Sequence, residues 1–354
     1  MSVENIYDIA IIGLGPSGAT LARLLDKRFK VIAIDKKDHL KSFEKPCGGL
    51  LATDAQKYLS KFNMTLPLNV LVNPQIFTVK TIDTQKKLIR HYQRFYMNLN
   101  RHKFDLWLKS LIPQHVEVID GSICKKIQQT EFGYMVDYII DNKQYTISAR
   151  NLVGADGANS FIRRSLLPGK KIRKYMAIQE WYKDEHKNPF YSCIFDKEIT
   201  DCYGWSVSKE GMIIVGGAFP MRNPRESFLL MKKKLSEYGF IFGDVVKKEA
   251  CLVLRPNGLF DICTGNHNFY LIGEAAGFIS PSSLEGISYA FESAYILSCV
   301  LNSGKSHRIY FFKTLKIRLR LFFKNLKNPF MYFPPLRFLI MKSNIKSISI
   351  LDEE

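Results

Sequence analysis

The chain has 354 residues, 46% of them hydrophobic and 13% aromatic, enough to bury a large core, so two units are a better reading than one compact domain. Its seven cysteines (Cys47, Cys124, Cys193, Cys202, Cys251, Cys263, Cys299) form no CxxC pair and no cluster with histidine, which argues against a metal site and fits reduced thiols in a cytosol. The formal net charge is +18, no basic leader precedes Glu4 and Asp8, and no run reaches the ~18 uncharged apolar residues of a membrane span; a signal peptide and a spanning helix are thereby excluded and the chain reads as cytoplasmic.

The stretch DIAIIGLGPSGATLARLL opens the folded part. Ile9 to Ile12 read as a short buried strand, and Leu21, Leu24 and Leu25 fall at helical spacing, so Gly13, Gly15, Pro16, Ser17 and Gly18 lie in a strand-to-helix turn. Gly13 permits the tight turn, Gly15 lets a pyrophosphate approach the backbone, and Gly18 lets helix and strand pack closely. The first amides of the helix then face phosphate oxygens. A second strand, FKVIAID, ends on Asp35 with Lys36 beside it; an acid there accepts from a ribose 2′-hydroxyl and repels a 2′-phosphate, which points to FAD or NAD rather than NADP.

Beyond it, Pro46, Cys47, Gly48 and Gly49 form a turn, and ATDAQKYLSKF is an amphipathic stretch. Residues 70–92 alternate as strands, NLNRHKFDLWLKSLI returns to helix, and residues 116 to 157 read as a series of strands with a turn at Asp141 and Asn142. Residues 171–263 are strand-rich and aromatic, and NFYLIGEAAGFISPSSLEGISYAFESAYILSCVL is again strand, glycine turn and helix. From Ser293 to Leu351 there is no acidic residue, while Arg308, Lys313, Lys316, Arg320 and Lys324 alternate with Phe311, Phe312, Leu315, Leu319 and Phe323. Residues 306–333 therefore suit an anionic membrane surface, or form a docking helix whose basic side is solvated; nucleic acid is not the expected partner.

Three separated stretches, GLGPSG, LVGADGANSFIRR and LIGEAAGFISPSSLEGI, resemble the FAD-dependent oxidoreductases of the aromatic-hydroxylase type, and within them the geranylgeranyl reductase family. The resemblance implies an α/β fold: a Rossmann-like FAD-binding domain of residues 1–65, 97–170 and 264–304, a strand-rich substrate domain of residues 66–96 and 171–263, and a basic, helical C-terminal region of residues 305–354. It implies FAD contacts for Asp156 and Gly157 in GADG, for Gly273, Glu274 and Gly277 in GEAAG, and for Gly286 and Ile287 in EGI. The family usually carries Asp where Glu274 stands. Arg101 matches an arginine at the FAD phosphates, with a surface salt bridge as its other reading, and Cys124 a position whose backbone meets adenine.

Two stretches resemble the reductase branch. PCGG places Cys47, Gly48 and Gly49 beside flavin and substrate, where the thiol is either a proton donor or gate, or a packed small hydrophobe. YGWSVSK retains Tyr203, Trp205 and Lys209 of a family motif in which Phe and Pro replace Val207 and Ser208. Tyr203 and Trp205 are thereby candidates to hold an isoprenoid or other apolar substrate during catalysis, or are plain sheet core. The implied chemistry is hydride transfer from FAD to a carbon–carbon double bond, with electrons from NAD(P)H or a ferredoxin-like donor. A flavin monooxygenase and a non-catalytic flavoprotein of lipid or envelope stress share the same motifs.

Overall fold

The structure, a computed structural model, describes residues 6–38, 45–183 and 190–351. The chain forms two compact units, each assembled from three segments: Met1–Glu44, His102–Arg173 and Leu254–Phe323, then Lys45–Arg101, Lys174–Val253 and Lys324–Glu354.

The first unit is built on an eight-stranded sheet whose path runs Gly265–Asn266, Phe269–Leu271, Lys143–Gly154, Ile6–Ile12, Val31–Ile34, Val116–Ile119. The strand Ile6–Ile12 pairs in parallel with both neighbours, Ile9 opposite Val31 and Asn151, Ile12 opposite Ile34 and Gly154. Residues 9–12 and the strand Val31–Ile34 are apolar and buried at every position because both faces of the sheet are covered there. Ala10, Ile12, Ile32, Ile34 and Leu152 feed one core, and Ile9, Ile11, Val31, Ala33 and Val153 the other. The helices Pro16–Leu24 and Ile287–Asn302 pack on each other and bring Leu21 and Leu297 into the second core. Asp141 and Asn142 both take positive φ, 46° and 64°, in the two-residue turn expected there, the conformation that a right-twisted hairpin favours.

The second unit carries a nine-stranded sheet, in path order Val245–Leu254, Lys174–Lys183, Met212–Pro220, Gly204–Lys209, Phe190–Phe195, Ile76–Asp83, Leu88–Asn98 and Ser347–Ile348, with Leu50–Leu51 also paired to Leu88–Asn98. The helix Pro224–Leu235 covers one face through Phe228, Met231 and Leu235, which meet Ile82, Ile194, Val215 and Phe219. Alternate residues, Val207 and Ile214 with Tyr96, Trp181 and Tyr191, line the opposite face.

Several expected boundaries shift: residues 97–101, with Arg101, fall in the second unit and residues 171–173 in the first. Residues 45–65, assigned above to the FAD-binding part, belong to the second unit, where Leu50 and Leu51 pair with Asn98 and Met97. Residues 254–263 belong to the first, where the Arg255 amide donates to Arg173 O at 2.9 Å and its Nε to Pro281 O at 2.9 Å. The C-terminal stretch is not a separate region. Its part up to Phe323 packs in the first unit through Tyr310, Ile317 and Leu321, and the rest in the second, where Arg337 meets Asp83. It folds as four helices, His307–Lys313, Leu315–Leu326, Asn328–Tyr332 and Pro334–Lys342. Among the described residues, no helix is long and apolar enough to cross a membrane.

Candidate functional site

In the first unit the glycine turn answers to three different constraints. Gly13 has φ +98°, and a Cβ there would stand 2.7 Å from Ala155 O. A Cβ on Gly18 would stand 1.8 Å from Gly13 O. Neither position tolerates a side chain, because backbone lies where it would go. Gly15 is the opposite case: a Cβ there would meet nothing within 4 Å. Pro16 occupies the first turn of the helix, and no side chain caps its N-terminus at Gly15. The amides around Ser17 thus open onto space that only the glycine leaves clear.

Asp156 and Gly157 meet this turn from the strand Lys143–Gly154, since the Cβ built on Gly13 also falls 2.9 Å from Asp156 Cα. Asp156 Oδ2 accepts from the amides of Phe161 (2.6 Å) and Ile162 (3.2 Å), while its buried Oδ1 has no hydrogen-bond partner among the described residues. Burial pushes this carboxyl up. Gly157 (φ +76°) has open space where a Cβ would point. Arg163, 2% exposed, donates to the carbonyls of Ala158 and Ala275 and so ties this turn to the next one.

That next turn, Gly273–Ala276, closes on the first: a Cβ on Gly273 would lie 2.6 Å from Ser17 Oγ. Gly277 (φ +88°) ends it, packed at Ile172. Glu274 places Oε1 on the Leu254 amide at 3.1 Å; its longer side chain is held by backbone. Gly286 precedes the helix that Ile287 opens, and Glu285 caps its first turn through Ser288 N at 2.7 Å.

Asp35 lies at the end of Val31–Ile34, but its Oδ2 receives Lys109 Nζ at 3.2 Å, with both side chains almost fully buried. Lys109 also pairs with Asp120 and donates to Lys37 O at 3.1 Å. Lys36 is exposed. No sequence signal marks Lys109, one more lysine in a helix. Cys124 is half-buried, and burial, reinforced by Asp156, pushes its thiol up to about 12, so it stays protonated at neutral pH.

The second unit brings together a different set. Gly49 (φ +64°) sits where a Cβ would strike Leu99 O at 2.3 Å and Lys209 Nζ at 2.6 Å. The Gly49 amide donates to Cys47 Sγ at 3.4 Å, Arg101 Nη1 reaches the same sulfur at 3.6 Å, and Cys251 Sγ donates to Pro46 O at 3.6 Å. Gly48 faces open space. Arg101, expected at the FAD phosphates, thus has the Cys47 sulfur as one partner; the NRHKFD likeness located the arginine but not that contact.

Lys209, retained from the YGWSVSK motif, is a buried residue to which the sequence reading gave no role. It is 5% exposed and donates to Leu99 O at 2.7 Å, to Asn98 Oδ1 and to Gly49 O at 3.5 Å. Burial pulls its ammonium down to about 7 from 10.5. Between those values the unfolded chain holds a proton that the folded chain has released, so stability contributed by this group rises with pH across the window. Below it both states are charged and the contribution is smallest. In Lys209→Met this rise should vanish: the thermal midpoint of the wild type should gain on the variant from pH 7 to pH 9. A difference that stays flat would show that Lys209 does not titrate there.

Tyr203 and Trp205 stack edge-on with centroids 5.9 Å apart, and Phe195 lies 6.2 Å from Tyr203. The indole covers Gly216, where a Cβ would stand 2.8 Å from Cε2. Its buried Nε1 has no hydrogen-bond partner among the described residues. Burial raises the Tyr203 hydroxyl well above its ordinary value, so it can donate but does not serve as a base near neutrality.

The residues of the first unit fit FAD. Gly15 and Gly157 leave a cradle that a Cβ would fill, helix amides open onto it, and Asp156 Oδ1 is a buried acceptor awaiting a donor such as a hydroxyl. Among the described residues, no group of acids, histidines and cysteines could hold a metal ion.

No protein-family model matches the chain. It is 20% identical to a geranylgeranyl bacteriochlorophyll reductase-like structure from Thermoplasma acidophilum, covering 98% of this chain and 94% of that one, with a TM-score of 0.80. A triple variant of the flavin-dependent brominase Bmp2 follows at 16% identity, 96% and 92% coverage and a TM-score of 0.71. The chain therefore has the fold of flavin-dependent oxidoreductases. Protein CbrA of Escherichia coli O9:H4 (strain HS) is 52% identical over 351 residues, 98% of this chain and 96% of that protein. With so high an identity over nearly the whole of both proteins, the chain belongs to the CbrA family.

Proposed function

We propose that the chain is an FAD-dependent oxidoreductase that reduces carbon–carbon double bonds of an isoprenoid lipid. The observation that carries the reading is the Pro46–Gly49 loop, where the Cys47 thiol is held between the Gly49 amide and the Arg101 guanidinium. Bound FAD, reduced by NAD(P)H or a ferredoxin-like donor, would supply the hydride that such a reduction needs. Saturating a double bond also takes a proton on the neighbouring carbon, and Cys47 Sγ is the group we assign to hold it. Once the proton leaves, the sulfur is an anion, and Arg101 is the cation placed to stabilise it. Lys209 keeps the loop in register by holding Gly49 O and Leu99 O. Tyr203 and Trp205 offer flat apolar surfaces to isoprene units, and Trp205 Nε1 a single donor for a polar end of the substrate. The reductase-like neighbour of known structure supports this choice among flavoprotein chemistries.

The test is anaerobic. The reduced wild-type flavoprotein should be reoxidised on mixing with a geranylgeranyl lipid, and Cys47→Ser should keep its flavin but slow the reoxidation by about 10²-fold, as for loss of a general acid. An unchanged single-turnover rate would make Cys47 a packing residue. NADPH oxidation coupled to oxygen consumption would instead identify a monooxygenase, and no reoxidation by any prenyl lipid would leave a non-catalytic flavoprotein.

A further inference from the structure

The helix Leu315–Leu326 is apolar on two faces. Ile317 and Leu321 turn inward and are buried in the first unit's core. Leu315, Leu319 and Phe323, spaced by four along the same ridge, turn outward and are 43%, 39% and 58% exposed, and Phe312, just before them, is 64% exposed. Lys313, Lys316 and Arg320 border the ridge and line one open groove with it. Arg320 is paired with Glu292, but Lys313 and Lys316 are exposed, and no acidic residue occurs between Ser293 and Leu351.

A ridge of large apolar side chains on the solvent side, edged by cations, is an interaction surface rather than a random exposure. We propose that this ridge seats the protein on an anionic phospholipid surface, with Phe312, Leu315, Leu319 and Phe323 entering the headgroup boundary and Lys313 and Lys316 facing lipid phosphates. Charge decides among occupants. A second copy meeting this face about a two-fold axis would set lysines against lysines, with Glu292 already taken by Arg320 and no carboxylate supplied by residues 293–351. A nucleic-acid face would put the cations at its centre, whereas here the centre is aliphatic and aromatic. An anionic bilayer satisfies both parts, apolar ridge and basic edge. The proposal does not depend on the redox reading.

Deleting the segment is a poor test, because Ile317 and Leu321 would leave the core with it. Instead, the full-length protein and two variants are co-sedimented with vesicles of phosphatidylglycerol or of phosphatidylcholine alone. Wild type should bind the anionic vesicles, release partly as salt rises to 1 M, where the Debye length is ~3 Å, and bind the neutral ones weakly. Leu315→Gln/Leu319→Gln/Phe323→Gln should reduce partition by about tenfold or more. Lys313→Gln/Lys316→Gln should lose the preference for phosphatidylglycerol. Both sets of positions are exposed, so thermal midpoints should match wild type; if the triple variant melts early, the lysine variant decides alone. Wild type that ignores anionic vesicles, or variants that bind as wild type does, would overturn the proposal. So would a wild-type dimer that the triple variant turns into a monomer without any vesicle binding.

Discussion

Gly15→Val should fold with the melting temperature of the FAD-free wild type and yet be purified colourless. Its φ of −70° is ordinary, and a Cβ there would meet no protein atom within 4 Å, so the folded chain has no reason to reject the side chain. What the valine fills is the space through which a pyrophosphate reaches the amides of the helix Pro16–Leu24. Losing even two such charge-assisted hydrogen bonds, each about 1.5 kcal/mol or more, amounts to at least ~100-fold in affinity. Titration with FAD, followed by flavin fluorescence, measures it. Gly18→Val is the contrasting control: its Cβ would lie 1.8 Å from Gly13 O, so that variant should fail to fold rather than merely lose cofactor. A yellow Gly15→Val protein with wild-type affinity would refute the flavin site.

The second large effect concerns the second unit's stability. Arg337 Nε donates to Asp83 Oδ2 at 2.8 Å, with the carboxylate side chain fully buried and the guanidinium side chain 5% exposed, and the guanidinium also lies 5.3 Å from the centre of the Phe195 ring. Arg337→Met leaves a buried, uncompensated carboxylate. Breaking such a pair from one side costs about 3–5 kcal/mol. Urea denaturation should show that loss, and Asp83→Asn combined with Arg337→Met should recover part of it, because the stranded charge is then gone. If the double variant is no better than Arg337→Met, the cost lies in packing on Phe195 and not in the charge.

Both features bear on what a sequence can disclose. The glycine turn was readable residue by residue because each requirement is local: the positive φ of Gly13, the close approach at Gly18, the clear space at Gly15. The Asp141–Asn142 turn was readable for the same reason. Lys109 beside Asp35, Lys209 beneath Gly49 and Arg337 on Asp83 were not, since each partner is supplied by a distant segment and no periodicity announces it. The boundary near residue 45 was missed because it rests on Leu50–Leu51, a two-residue strand too short to carry an alternating pattern. The basic stretch folded as several helices where one interfacial element was expected, and the breaks had a signal: Pro329 and Pro334 each stand in the first turn of a new helix.

The strand Ser347–Ile348, which pairs with Tyr92 and His91, gives the second unit a particular history. Its sheet begins with strands made early in translation and is finished at this edge by residues made much later; the neighbouring pair of Asp83 and Arg337 is 254 positions apart. While the ribosome works through the intervening segments, which include most of the first unit, the strand Leu88–Asn98 keeps an open row of amides and carbonyls, and Asp83 lacks its cation. Such an edge invites pairing with other nascent chains, and closure over so long a separation is slow. The second unit therefore cannot close this edge, or pair Asp83, until the residues from Arg337 to Ile348 have been made. A chain ending before Arg337 would leave Asp83 without its cation and the Leu88–Asn98 edge without the Ser347–Ile348 strand.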